Sequence, residues 1–471
     1  MSPRPASEIP GLRPIPFVGR HLGLLRLFRD PLRVLPRLWR EHGEIAALSR
    51  GDPSIVCAFG PAFHQQLLPR AKEFEHLDDI PMRVPEGSAL SRTLFNLTVI
   101  NGADHRRQRR LMMPAFGRSV IHGYRDDMVE LAGSRLARWR TGSQVDANRE
   151  MTELTLDVMM RCLFGLSPGE DAAEVGRLGT SFLEHMTSPA TAMLPLDLPW
   201  LPFGRFMRLC ERFEERLIEM IEQRRASRDQ AQDVLSLLIR AADEDGSRLT
   251  DRELLGNMGL LFVAGHETTA HALSWTLFLL AQHPQIQLEL REELRGELHG
   301  DAPTVEQFAR LPLLDAIVDE SLRLLPPTYV LFIRRAMGEF ELGPYRMPEG
   351  SLVVLSPLVA HHLPEVFEEP ERFRPERWAS RKPSPFELVP FGAGPRLCLG
   401  ASFAAQEIRL VLAMIVQRHG LRMLPGSRVD PKARGITMGP RGGLPIELVD
   451  PDARPRPPVD VGGSIREWVQ W

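Results

Sequence analysis

Ten residues, Phe391-Gly-Ala-Gly-Pro-Arg-Leu-Cys-Leu-Gly400, place one cysteine at the mouth of a long apolar helix pattern, Leu399 to Gln417. A sulfur there meets free backbone N–H groups and the positive end of the helix dipole, which stabilise a thiolate. Such a thiolate is a nucleophile or a soft metal ligand. Phe391 can shield the sulfur, Gly394 and Gly400 permit close backbone approach, and Arg396 can meet a carboxylate of a bound group. The rival reading, an inert buried cysteine, must explain away five fixed positions, Phe-x-x-Gly-x-Arg-x-Cys-x-Gly, as coincidence.

A second constellation, Ala264-Gly265-His266-Glu267-Thr268-Thr269, interrupts an apolar helix pattern running from Thr250 to His283. An acid beside an alcohol at a local helix opening can relay protons; the bland alternative is a polar kink satisfied by internal hydrogen bonds. His266-Glu267 followed by His271 imitates a zinc-protease motif, but a separation of five turns the second ring about 140° away. Gly392-x-Gly394 lacks a third glycine because position 397 is leucine, and no dinucleotide fingerprint or phosphate loop occurs elsewhere. Glu320 and Arg323 share a helix face among Ile317, Leu322, Leu324 and Leu325, so burial as a pair is expected. His105 and Arg109 lie four apart on another helix, whose Arg106, Arg107 and Arg110 form either a positive docking patch or a solvated face.

The elements that must position these residues are mostly helical. Helix patterns cover Ala103 to Met113, Val120 to Arg140, Met151 to Phe164, Gly204 to Arg228, Thr250 to His283 and Ile286 to Leu298, among others. Strand-like runs are short: Glu44 to Leu48, Ser54 to Phe59, Leu331 to Arg335, Ser351 to Leu355 and a terminal hairpin from Leu421 to Val449. No βαβ alternation, repeat or linker appears, which makes one large, mainly α domain with small β-sheets the simplest architecture. The 471 residues, 43% hydrophobic and 25% charged, suit an ordinary globular protein. A net charge of −3 gives no global attraction to nucleic acid. Cys57, Cys162, Cys210 and Cys398 are too scattered for a disulfide framework or zinc site. With no apolar leader and no transmembrane run, the expected location is cytoplasmic.

On these motifs the chain resembles the haem-thiolate monooxygenases known as cytochromes P-450, over roughly residues 10 to 450. The resemblance implies a proline-rich N-terminal strap (1–20), a monooxygenase domain (21–450) and an extended C-terminal tail (451–471). It puts haem b (iron protoporphyrin IX) between the long central helix and the Cys-loop helix. Cys398 becomes the axial ligand, whose thiolate pushes electron density toward O–O cleavage. His105, Arg109, Arg334 and Arg396 become propionate partners, with Arg335 an alternative to Arg334 and histidine an uncommon variant at position 105. Ala264 and Gly265 lie over the haem, and Glu267 and Thr268 deliver protons where dioxygen is reduced. Glu320, Arg323 and Arg377, the last within Phe373-Arg-Pro-Glu-Arg-Trp378, form a structural triad.

Four apolar segments are expected around the guest: Ile80 to Leu97, Met186 to Phe203, Thr328 to Phe332 and Ile436 to Met438. Within them Ile80, Met82, Leu94, Phe95, Met193, Thr328, Val330, Phe332 and Met438, joined by Leu261, form the expected lining. Burial at about 25 cal/mol per Å² favours an apolar, lipid-like substrate, a fatty acid or a terpenoid. Arg83 and Arg92 are open as carboxylate anchors or solvent-facing residues, and the greasy run Met193 to Phe203 as a gate or a shallow membrane contact. Electrons from external NAD(P)H would arrive through a reductase and a ferredoxin or flavodoxin. The alternatives are oxidative tailoring of a polyketide or other secondary metabolite, peroxide-driven chemistry, and a non-catalytic haem-thiolate sensor.

Overall fold

A helix that is apolar on every side belongs at the centre of a protein, and the run from Leu254 to Leu280 is found there. The computed structural model describes residues 3–14, 20–77, 84–188, 190–191, 194–227 and 230–471. Eight helices frame the molecule's interior: α1 (Gly102–Met112), α2 (Ala147–Phe164), α3 (Glu170–Met186), α4 (Pro202–Ala226), α5 (Asp251–Gly265), α6 (Glu267–Gln282), α7 (Pro312–Leu324) and α8 (Ala401–Arg418). Every residue of α6 from Thr269 onward is buried, and the helix packs against α2, α7 and α8.

The expected single helix from Thr250 to His283 is two helices separated by His266. Thr250 and Glu253 start α5 with a reciprocal capping box. The break is then bridged by side chains. His266 Nδ1 lies 3.2 Å from Phe262 O, Thr268 Oγ1 donates to Ala264 O at 2.9 Å, and Thr155 Oγ1 donates to His266 O at 3.0 Å. The opening costs little because the carbonyls of Phe262 and Ala264 are met by the His266 and Thr268 side chains, while His266 O holds both the Ala270 N–H and Thr155.

The sheets are small. Ile45–Ala47, Ile55–Ala58, Leu352–Leu355, Arg334–Ala336 and Phe74–His76 lie side by side in that order, with only the second and third parallel. Register sets His76 opposite Arg334. The expected terminal hairpin is two nested pairs, Gly420–Met423 with Pro445–Val449 and, between them, Pro431–Arg434 with Thr437–Pro440. The N-terminal strap runs parallel to Tyr345–Met347 through Arg4–Pro5 and buries Ile9. The tail is extended only in part. Val461, Ile465, Trp468 and Val469 recur at helical spacing and are buried, with Gln282 bonded to Val459 O and Gln470 N–H to Glu371 O.

Behind the sheet, Glu320 and Arg323 are both 0% exposed. Arg323 uses all five N–H groups: two on the Glu320 carboxylate (2.9 and 2.8 Å) and three on the carbonyls of His361, Pro370 and Arg372. Glu320 also accepts from Arg374 N–H and Arg377 Nε, each at 3.0 Å. A buried ion pair stabilises only when its remaining donors and lone pairs are met, and here they are.

Glu407 on α8 is the opposite case. It is 0% exposed, neither carboxyl oxygen has a protein partner, and burial holds its pKa well above the usual range. A raised folded-state pKa means stability is fully present below about pH 4 and is lost as pH rises, because only the unfolded chain ionises freely. Glu407→Gln should therefore match the parent in denaturant midpoint at pH 4. It should gain on the parent with rising pH, by at most about 1.4 kcal/mol per unit; a difference that stays flat with pH would refute a neutral Glu407.

Candidate active site

The cysteine loop is shaped by one close approach. Gly394 has φ +72°, and a Cβ there would stand 2.6 Å from Leu68 O, so no other residue fits. Gly392 also has a positive φ, of +70°, but faces open space. The loop then closes through Cys398 N–H donating to Phe391 O at 2.9 Å, with the Phe391 side chain half-buried beside it. Gly400 has an ordinary φ of −86°. Its contribution is the backbone N–H that it gives to the Cys398 sulfur.

Burial pushes the Cys398 thiol up, and the Gly400 N–H and the Arg109 charge pull it back. Cys398 nevertheless keeps exposed surface, unlike the other three cysteines, which are buried. A sulfur that is enclosed by protein atoms yet keeps exposed area lines a recess inside the protein. Ala264 is likewise exposed on a helix whose neighbours are covered.

Three guanidiniums gather near the sulfur loop with no carboxylate bonded to any of them among the described residues. Arg396 donates to Leu97 O (2.9 Å), Ile100 O (2.8 Å) and Asn101 Oδ1 (2.6 Å). Arg109 donates to Leu397 O at 2.7 Å. Arg334 is 3% exposed, and its Nε and Nη1 have no protein partner. Burial lowers Arg334 to about 10, and burial together with Arg334 and Arg109 lowers Arg396 to about 10. His105 is buried and held neutral, lowered to about 4 by desolvation and then by Arg396, Arg109 and Arg106. His76, lowered to about 3 by burial, Arg334 and Arg396, completes the cluster and stacks on Phe332. Neither His76 nor Asn101, which exchanges two 3.0 Å bonds with the His76 backbone, carries any sequence signal. Only the strand register reveals them.

An orphaned buried arginine with two further desolvated cations requires an anionic partner. A soft sulfur ligand, unsatisfied cations suited to carboxylates and uncovered apolar surface are together what a haem needs. The residues present fit the group.

Glu267 and Thr268 sit at the helix break. Burial raises the Glu267 carboxyl pKa, Arg434 lowers it, and Glu184 adds a further upward push. Arg434 Nη1 lies 3.5 Å from Glu267 Oε1; it ends the inner hairpin strand Pro431–Arg434 and was not legible in sequence. The bare face of Gly265 is turned toward α2. A Cβ there would meet Met159 Sδ at 3.0 Å and Leu163 Cδ1 at 3.4 Å, so its bare face lets α5 pack on α2, and Ala264 presents the open face.

Of the expected lining, Ile80, Met82 and Met193, like Arg83, lie outside the described residues. Leu94 and Thr328 are half-buried, Leu261 and Val330 are buried, and Phe332 is exposed. Thr328 pairs with Thr437, which joins two of the four segments. Met438 is 0% exposed and belongs to the core, its carbonyl bonded to Trp275 Nε1 at 3.1 Å. Phe95 carries the Arg252 guanidinium 4.2 Å above its ring. Arg92 is no carboxylate anchor, because it grips Glu214 with two bonds of 2.5 and 2.6 Å. Arg107 and Arg110 are paired with Glu253 and Asp243, which leaves Arg106, among the described residues, as the member of the expected basic patch without an ion pair. An open groove of about 600 Å³ near Tyr124, Asp127, Arg161, Arg224 and Asp233 shares no residue with this site.

Gly394→Ala should therefore cost more stability than Gly392→Ala. Both force an unfavourable φ at about 1–2 kcal/mol, but only the first drives a methyl into the Leu68 carbonyl. Equal thermal midpoints would show that the loop shifts freely at Gly394.

Comparison with known proteins agrees with this geometry. The family model described as cytochrome P450 matches residues 9–445. A cyclooctat-9-en-7-ol 5-monooxygenase of Streptomyces melanosporofaciens is 32% identical over 88% of this chain and 89% of its own. A pentalenene oxygenase of Streptomyces avermitilis is 30% identical over 93% and 96%. Among solved structures, the retinoic acid-bound cyanobacterial CYP120A1 superposes with a TM-score of 0.81, at 26% identity, over 95% of this chain and 99% of that one. With a thiolate loop, a cationic cluster and a broken central helix placed as described, and with that family model spanning nearly its whole length, the chain belongs to the cytochrome P450 family of monooxygenases.

Proposed function

We propose that this chain inserts one oxygen atom from dioxygen into a C–H bond of a terpenoid. Two similar proteins carry names that specify such substrates, cyclooctat-9-en-7-ol and pentalenene. The observation that carries the reading is the pairing of the Cys398 loop with Glu267 and Thr268 at a broken helix.

Bound haem supplies reductive activation of dioxygen and transfer of one oxygen atom. Cys398 would hold the iron, its sulfur steadied by the Gly400 N–H. Arg334, with Arg109, Arg396 and His105, would hold the propionates. Thr268 can redirect its hydroxyl from Ala264 O to hold a proton beside the reaction centre. Glu267, its affinity for a proton raised by burial and moderated by Arg434, can take up that proton from the Arg434 side and pass it on. Phe332, Val330, Leu261 and Leu94 offer apolar contact and few directional groups, which suits a hydrocarbon-rich guest held by burial. The reaction needs two electrons, and this sequence carries no flavin or nicotinamide fingerprint. We assign them to NAD(P)H through a reductase and a ferredoxin or flavodoxin.

Titration of the ferric holoprotein with cyclic terpenoids and with fatty acids tests the substrate class. A saturable high-spin shift with terpenoids alone is expected. A shift with fatty acids alone, or with neither class, would overturn it. Thr268→Ala should keep haem binding while product per electron falls about 100-fold and peroxide rises. Parental coupling in that variant would remove Thr268 from the proton path.

A further inference from the structure

The segment leading into the cysteine loop is clasped by two buried histidines. His64, on the short helix Pro61–Leu67, bonds through Nδ1 to Phe386 O at 2.9 Å. Val389 N–H donates to His361 Nε2 at 3.0 Å. Both rings are 0% exposed. Their partners fix both tautomers. A carbonyl can only accept, so His64 carries its proton on Nδ1 and its Nε2 is bare. An N–H can only donate, so His361 is bare on Nε2 and carries its proton on Nδ1. Both rings are neutral, since burial lowers His64 to about 4 and His361 well below its usual value.

The remaining two atoms, His64 Nε2 and His361 Nδ1, have no protein partner. One is a lone pair and the other an N–H, so they are complementary. The rings are near enough that His64 is the second largest influence on His361, after burial. His361 is also tied backward, its carbonyl accepting from Arg323 Nη1 at 2.8 Å. Forward of the clasp, Gly392 N–H bonds to Val389 O at 3.0 Å and Cys398 N–H to Phe391 O at 2.9 Å. A continuous bonded path thus runs from the Glu320–Arg323 pair through His361 to the sulfur loop.

We propose that His64 and His361 are positioning residues for the Cys398 sulfur, acting as one unit through a buried water that accepts from His361 Nδ1–H and donates to His64 Nε2. One water with two polar partners in a sealed site satisfies both orphaned atoms. The inference uses the haem-thiolate assignment and is independent of the substrate.

The test compares His361→Leu, His361→Gln and His64→Leu as holoproteins. The readouts are the ferrous–CO spectrum, which separates thiolate from thiol ligation, and hydrogen exchange of residues 386–398. His361→Leu should expose the Val389 amide at least tenfold faster and convert thiolate to thiol ligation at lower urea. His361→Gln, whose amide oxygen can accept the Val389 N–H, should restore most of both. His64→Leu should loosen the same segment, and the double leucine variant should be no worse than His361→Leu alone. If His361→Leu does not fold, His64→Leu and His361→Gln carry the comparison. Parental exchange and ligation in His64→Leu, or a glutamine variant no better than leucine, would overturn the proposal.

Discussion

The structure turns on holding negative charge on a sulfur inside a protein. Desolvation works against it, and among the described residues the direct offsets are the Gly400 N–H and the nearby Arg109. Neither reaches the sulfur unless the backbone from Val389 to Gly400 keeps one shape. That shape rests on Gly394, which fits where a side chain would strike Leu68 O, and on the return bond from Cys398 N–H to Phe391 O. The fully bonded Glu320–Arg323 pair matters for the same reason. A pair with every donor met is rigid, and rigidity behind the loop keeps a ligand atom where a metal needs it.

The opposite wall obeys a different logic. There the backbone is opened, and side chains close the hydrogen-bond account at His266, Thr268 and Thr155. A threonine that already holds the i−4 carbonyl can release it without leaving a strained helix, since α6 remains buried on all sides. Glu267 is suspended between burial, which favours its proton, and Arg434, which favours its charge. Burial lets this acid hold a proton more readily than a surface carboxylate does, which is what a relay needs.

Residues whose partners are close in sequence were legible. The Cys398 motif, the acid–alcohol pair and the i, i+3 pair Glu320 and Arg323 show themselves by spacing alone, and so did the dominance of helix. What escaped depends on long-range register. His76 meets Arg334 because two strands pair, and Arg434 reaches Glu267 because a hairpin turns beside α6. Gly265 shows the limit from the other side: the sequence marked it as special, but only the packing of α5 on α2 shows which neighbour needs it bare. Met438 is an apolar residue in a suitable segment that is nonetheless buried in the core, and pattern cannot tell a covered face from an open one.

The docked tail bears on how the molecule is made. Gln282 at the end of the central helix bonds to Val459 O, and Glu371 O receives Gln470 N–H, while Val461, Ile465 and Trp468 cover apolar surface. During synthesis these partners leave the ribosome long after α6 and the Cys398 loop have emerged. One side of the core therefore stays open until residues 459–470 have been made, an interval in which prosthetic-group insertion can precede closure.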